Sequence, residues 1–178
     1  MKSENNIIQL NIIGDSLSER SSAFGLKQKL GASYQINDYS ISGRNTMDWL
    51  QDISRPFQIA PNLIIIELGT NDAYFEGSYN FFEKYNLLIK EIELRSNAKI
   101  YLTLVPETNQ TTIQSIIKKN NSQIKTLESK YTLVDLETLF RKTGITNLYP
   151  LQDPIHPNSI GYDLIGEEYK KIILQNPR

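Results

Sequence analysis

The run Leu63-Ile64-Ile65-Ile66 has no polar position. A strand with one wet face alternates apolar and polar residues, so four large apolar residues in succession suit a strand covered on both sides. That run lies within Asn62 to Leu68, and four similar stretches accompany it: Ile7 to Ile13, Tyr34 to Ser40, Lys99 to Val105 and Tyr131 to Leu136. All five read as strands. Between them apolar residues recur at helical spacing, in Phe81, Tyr85, Leu88, Ile89 and Ile92, and in Ile113, Ile116, Ile117, Ile124 and Leu127. A last helix is predicted from Ser159 to about Leu174, with Asn158 as its N-cap and Ile160, Leu164, Ile165, Ile172 and Ile173 on its apolar face. Parallel neighbours need long crossovers, usually helices, so the alternation predicts an α/β fold. The expected architecture is a three-layer α/β/α sandwich of about five mainly parallel strands. At 178 residues the chain is read as one domain, 1–178, large enough for a single core. The polar stretch Lys118 to Ser122 reads as a solvated helix face.

With 19 basic and 20 acidic residues there is no positive excess to attract nucleic acid or an anionic membrane surface. Cysteine is absent and there is one histidine, which rules out disulfides and thiolate chemistry and leaves few ligands for a metal. No cofactor and no metal are expected. No stretch approaches the roughly 18 apolar residues of a spanning helix, so no integral membrane segment is expected. The first residues, Met1 to Asn6, lack the pattern of a secretory leader. The expectation is a cytoplasmic protein, or a secreted one if a leader has been removed.

The single histidine, His156, sits in Asp153-Pro154-Ile155-His156-Pro157-Asn158, and Ser16 sits in Gly14-Asp15-Ser16-Leu17 at the end of the first strand run. A serine hydroxyl becomes a useful nucleophile when a base takes its proton, and a carboxylate on the other imidazole nitrogen orients that base. Ser16, His156 and Asp153 can supply these three parts. Acyl transfer also needs donors for an oxyanion. The backbone N–H of Ser16 at a helix amino end, the backbone N–H of Gly43 and the side-chain amide of Asn71 are candidates. In open α/β sheets ligands sit beyond the carboxyl ends of the strands. Ser16, Ser42-Gly43 and Gly69-Thr70-Asn71-Asp72 follow the first, second and third strand runs. Each part has an ordinary alternative: Ser16 as a cap, Gly43 and Asn71-Asp72 as turn or cap residues, His156 as a histidine in a rigid proline-bracketed loop. The parts occurring together, in order and at strand ends, favour one active site.

These four blocks together resemble the SGNH or GDSL hydrolases, and the resemblance spans residues 12 to about 166. It implies a flavodoxin-like sandwich, Ser16 as nucleophile and oxyanion donor, Gly43 and Asn71 as further oxyanion donors, Asp153 as orienter and His156 as base. The first block is not the G-x-S-x-G elbow of the α/β-hydrolases, because Ser18 stands where the second glycine would be.

The expected chemistry is a two-step ester hydrolysis through an acyl-enzyme, acting on a small or single-chain acyl ester. Tyr74 and Phe75 in loop 73–79, with Tyr149, Leu151 and Ile155 near the expected acid, are candidates for an apolar acyl pocket or for core packing. A catalytically silent module that binds carbohydrate or acyl groups, and an acyltransferase using the same acyl-enzyme, are the alternatives.

Overall fold

The computed structural model describes residues 7–77 and 79–177. Met1 to Asn6, the segment read for a leader, and Ser78, within loop 73–79, lie outside the described residues. The elements in chain order are β1 (Ile8–Ile13), α1 (Ser16–Arg20), α2 (Leu26–Leu30), β2 (Tyr34–Asp38), α3 (Thr46–Gln51), β3 (Leu63–Ile66), α4 (Thr70–Glu76), α5 (Phe81–Arg95), β4 (Lys99–Leu104), α6 (Thr111–Lys125), β5 (Thr132–Asp135), α7 (Leu139–Thr143) and α8 (Ser159–Gln175). The strands lie in the order β2-β1-β3-β4-β5, and every neighbouring pair is parallel. This is the flavodoxin-like strand order, with its switch point between β1 and β3.

Successive side chains of a strand point to opposite faces, and β3 divides accordingly. Leu63 and Ile65 join Leu10, Ile12, Leu17, Leu26, Tyr101, Val134, Ile165, Tyr169 and Ile173 beneath α1, α2, α7 and α8. Ile64 and Ile66 join Trp49, Phe81, Tyr85, Leu88, Ile92, Leu102 and Ile124 beneath α3, α5 and α6. All four β3 residues are essentially inaccessible. Full burial of such side chains stabilises by about 1.5–3 kcal/mol each, so β3 anchors both halves of the core.

Two helix readings are corrected by the packing. Ile160 is more than half exposed, because α8 buries Gly161, Ile165, Tyr169 and Ile173 instead, a stripe of four-residue steps. Leu164 and Ile172 only flank that core. Asn158 does cap the helix, its side chain accepting from Gly161 N–H at 3.1 Å. Within Lys118 to Ser122, Asn120 and Asn121 are fully buried rather than solvated. Asn121 accepts from Val105 N–H at 3.0 Å and donates to Val105 O at 2.9 Å, and Asn120 donates to Gly69 O at 3.2 Å. Buried backbone groups beyond a strand end need partners, and these two amides provide them for the segments after β4 and β3.

Candidate active site

The loops after β1 and β3, together with the segment before α8, converge at the carboxyl edge of the sheet. Asp15 is the N-cap of α1, its Oδ1 accepting from Leu17 N–H at 2.9 Å, so Ser16 opens the helix rather than capping it. Trp49 on α3 is fully buried and donates its indole N–H to Gly14 O at 3.1 Å, tying that turn to the opposite layer. Gly14 is needed for space: a Cβ there would lie 2.6 Å from Ser40 Oγ and 3.3 Å from Glu67 Oε2.

Ser16 Oγ lies 2.8 Å from His156 Nε2. On the other side of the ring, His156 Nδ1 is 2.8 Å from both Asp153 oxygens. Asp153 and His156 are not on a helical turn. The Asp153 carboxylate instead folds back on its own backbone, Oδ1 accepting from the N–H groups of Ile155 at 3.2 Å and His156 at 3.0 Å. Burial pushes the Asp153 carboxyl up, but the His156 N–H, the imidazole and the Ile155 N–H outweigh it and hold the carboxyl below the usual range. An ionised Asp153 fixes the tautomer with hydrogen on Nδ1 and leaves Nε2 free to accept from Ser16.

Arg20 is a member of the site that sequence reasoning missed. Its Nη1 lies 3.2 Å from Asp153 Oδ2 and 3.0 Å from His156 Nδ1. With hydrogen on Nδ1 the latter approach joins two donors, so the guanidinium pairs with the carboxylate. Arg20 follows Ser16 by four residues on α1, the spacing that places two side chains on one helix face, and that was the available signal.

Asn71 stands in the first turn of α4. Its Nδ2 donates to Asp15 Oδ2 at 3.1 Å and to Arg44 O at 3.0 Å, so the expected oxyanion amide is held by the residue before Ser16 and by the residue after Gly43. Gly43 has φ +83, a conformation glycine adopts without strain, and no atom stands within 4 Å of the place a Cβ would occupy. Asp72 turns inward, accepting from Thr46 N–H at 3.3 Å and Thr46 Oγ1 at 3.1 Å.

Beneath this surface are two fully buried carboxyl groups, Asp15 and Glu67. They are close enough to share a hydrogen bond. Burial pushes Asp15 up to about 7, opposed by the Leu17 N–H and by Glu67 and reinforced by Asp72. Burial and then the charge of Asp15 push Glu67 well above the usual range.

The expected acyl-pocket residues differ in their surroundings. Tyr74 and Phe75 are largely exposed and meet edge to face with ring centres 5.0 Å apart. Leu151 is 97% exposed. Tyr149 packs against Phe140 and donates to Glu107 O. Ile155 packs against Ala73, Val105, Ile113 and Ile117. Beside Gly43 a polar cleft is lined by Ser42, Arg44, Asp48, Gln51 and Asp52. Among the described residues no group of three or more histidine, aspartate or glutamate side chains is arranged to hold a metal ion. No helix among them is long and apolar enough to cross a membrane.

The sequence profile of the GDSL-like lipase/acylhydrolase family matches residues 12–164. The chain belongs to that family. Among curated relatives, a multidomain esterase of Ruminococcus flavefaciens is 27% identical over 115 residues, which cover 61% of this chain and 15% of that protein. The chain therefore corresponds to a small part of that relative. Solved structures with this fold include a lipase/acylhydrolase from Enterococcus faecalis, with TM-score 0.80, 19% identity and coverage of 96% of this chain and 98% of the other. They also include a carbohydrate esterase family 3 protein from Talaromyces cellulolyticus, with TM-score 0.73, 16% identity and coverage of 94% and 97%. Membership of this GDSL family supports an ester hydrolase function.

Proposed function

We propose that the chain is a serine esterase in which Ser16, His156 and Asp153 form a catalytic triad. The observation that carries this reading is the continuous path from Ser16 Oγ to His156 Nε2 and from Nδ1 to Asp153, each step 2.8 Å. His156 takes the hydroxyl proton as Ser16 attacks the ester carbonyl. The N–H groups of Ser16 and Gly43 receive the oxyanion together with the Asn71 amide, which shares with it one of the two N–H groups it donates to Asp15 and Arg44 O, and the protonated imidazole then expels the alcohol. Water enters the acyl-enzyme with His156 again as base, and the acid leaves.

We infer a small acyl group carried on a polar alcohol. Two features support that substrate class: Tyr74, Phe75 and Leu151 of the expected apolar lining are exposed rather than enclosed, and the cleft beside Gly43 presents hydroxyl, guanidinium, carboxylate and amide groups suited to an alcohol rich in hydroxyls, such as a sugar. The similarity of fold to a carbohydrate esterase agrees with it.

The test is hydrolysis of p-nitrophenyl acetate, butyrate, octanoate and palmitate by the wild type and by Ser16→Ala. Serine-dependent turnover highest on acetate and butyrate is expected. A maximum at octanoate would overturn the small-acyl reading, and activity on none of the four would favour the non-catalytic binding module.

A further inference from the structure

Glu67 continues β3 by one residue, its N–H donating to Ile13 O at 2.8 Å, and projects its carboxyl under Gly14. Neither Glu67 oxygen makes a hydrogen bond of ordinary geometry among the described residues, although the Asp15 backbone N–H is directed toward its carboxyl and opposes part of the rise. Asp15, by contrast, accepts from Leu17 N–H at one oxygen and from the Asn71 amide at the other. Two ionised carboxyls in contact, both sealed from water, would repel in a medium that screens them poorly. The charged groups acting on the pair are Asp38 at the end of β2 and Asp72 on α4, and the titratable groups that face it are Tyr85 on α5 and Tyr162 and Tyr169 on α8. The three tyrosines are held neutral by burial and carry no charge, whereas Asp38 and Asp72 bear like charge and disfavour a second ionisation of the pair. Hydrogen bonds donated to an ionised carboxylate stabilise it, which places the negative charge on Asp15 and the proton on Glu67.

We propose that Glu67 is a positioning residue: it keeps a proton at neutral pH and donates it in a hydrogen bond to Asp15, fixing the carboxylate that anchors both the Ser16 turn and the Asn71 amide. Glu67 touches no reacting atom. It acts through Asp15, which joins the helix cap beneath Ser16 to the oxyanion donor. Loss of the Glu67 proton in alkali places two buried negative charges together and loosens Asn71 from its site. The oxyanion hole is thereby tied to the protonation of a group inside the sheet. The catalytic half of this inference rests on the esterase reading above; the location of the proton does not.

The experiment combines infrared spectroscopy with kinetics on the wild type, Glu67→Gln and Glu67→Leu. At about pH 8, where ordinary carboxyls are ionised, the wild type should retain the C=O stretch of a protonated carboxylic acid, and Glu67→Gln should lack it. On p-nitrophenyl acetate, Glu67→Gln keeps a donor that cannot ionise, so it should hold kcat within about threefold at neutral pH and lose the alkaline decline. Glu67→Leu removes the donor and should lower kcat by about tenfold or more with KM nearly unchanged. The proposal is overturned if the wild type shows no protonated-carboxyl band. It is equally overturned if Glu67→Gln loses as much kcat as Glu67→Leu, or keeps the wild-type alkaline decline. If Glu67→Leu does not fold, the band and the Glu67→Gln profile decide. A wild type that hydrolyses nothing would remove the esterase reading, while the infrared band would still report where the proton resides.

Discussion

Asn71 Nδ2 donates to Asp15 Oδ2 at 3.1 Å, across 56 residues of chain, so the expected oxyanion amide hangs on the residue that caps the helix of the expected nucleophile. Asp15→Asn can match only one of its two donors, because its new NH₂ group faces either the Asn71 amide or the Leu17 N–H. Its kcat is expected to fall by about 10- to 100-fold with little change in KM, less than the roughly 100- to 1,000-fold expected for Asn71→Ala. The order follows because Asn71 keeps its second hydrogen bond, to Arg44 O. Wild-type turnover in Asp15→Asn would show that this contact does not position the amide.

Ser16→Ala and His156→Ala remove the two ends of the 2.8 Å contact. Each is expected to lower kcat at least about 1,000-fold, and the double variant little further, because the two groups act as a unit. Ser16 loses only a hydroxyl at a position whose helix is capped by Asp15, so the far-ultraviolet circular dichroism spectrum should be unchanged. A fall of less than about tenfold in either variant would be too small for a nucleophile or its base.

Asp153 is held below the usual carboxylate range because the His156 N–H, the imidazole and the Ile155 N–H outweigh burial. A carboxyl lowered in the folded state contributes stability that is present above its unfolded value and is lost as pH falls through the lower, folded value. Its carboxyl ¹³C resonance should therefore titrate with a midpoint below the ordinary aspartate value of 3.8, and a midpoint above that would refute the arrangement. Asp153→Asn should preserve the fold but favour the wrong imidazole tautomer. With hydrogen on Nε2 the ring has no lone pair to take the Ser16 proton, so kcat should fall by about 100-fold or more.

The parts of this molecule that were legible in its sequence are those that obey a period or a block pattern. β3 was visible because a strand buried on both faces has no polar position, Ser16 and Asn71 because their blocks follow strand runs, and Asp153 and His156 because the chain has a single histidine with a carboxylate three residues before it. Glu67 was hidden by the same strand: it reads as the polar end of an apolar run, and only its placement under Gly14 reveals a role. Asn120 and Asn121 looked like solvent-facing residues since a helix pattern does not record backbone groups from other elements. The buried stripe of α8 was misplaced because it begins at Gly161, which no hydrophobic pattern records and which close approach to Pro157 selects, whereas Ile160 beside it is an isoleucine that faces out.

Two glycines should separate packing from catalysis. A Cβ on Gly166 would run into the Phe24 carbonyl oxygen, a backbone atom that cannot rotate away, so Gly166→Ala is expected to cost about 1–3 kcal/mol in urea unfolding. A Cβ on Gly14 meets Ser40 Oγ and Glu67 Oε2, both side-chain atoms that can shift. Gly14→Ala should therefore lose less stability than Gly166→Ala but more kcat, because what shifts lies under Ser16 and Asp15. The reverse order in either measurement would contradict this packing.

The buried pair also sets a pH dependence of stability whose sign is fixed. Burial and the Asp15 charge raise the Glu67 carboxyl well above its ordinary value of 4.5. Below that value the carboxyl is protonated in both folded and unfolded chains and contributes no slope. Above it the unfolded chain releases the proton while the folded one keeps it, so the wild type loses stability as pH rises until the folded value is passed. Glu67→Gln carries no proton to release. Urea unfolding of the two proteins from about pH 4 to 9 is therefore expected to give a stability difference that is constant in acid and moves in favour of glutamine in alkali, by at most about 1.4 kcal/mol per pH unit for one proton. Comparing the two proteins cancels the slopes of groups they share, and Asp15 is followed separately by its carboxyl ¹³C resonance in each, because Glu67 contributes to its titration near 7. A difference that is flat across this range would mean that Glu67 is ionised in the folded protein.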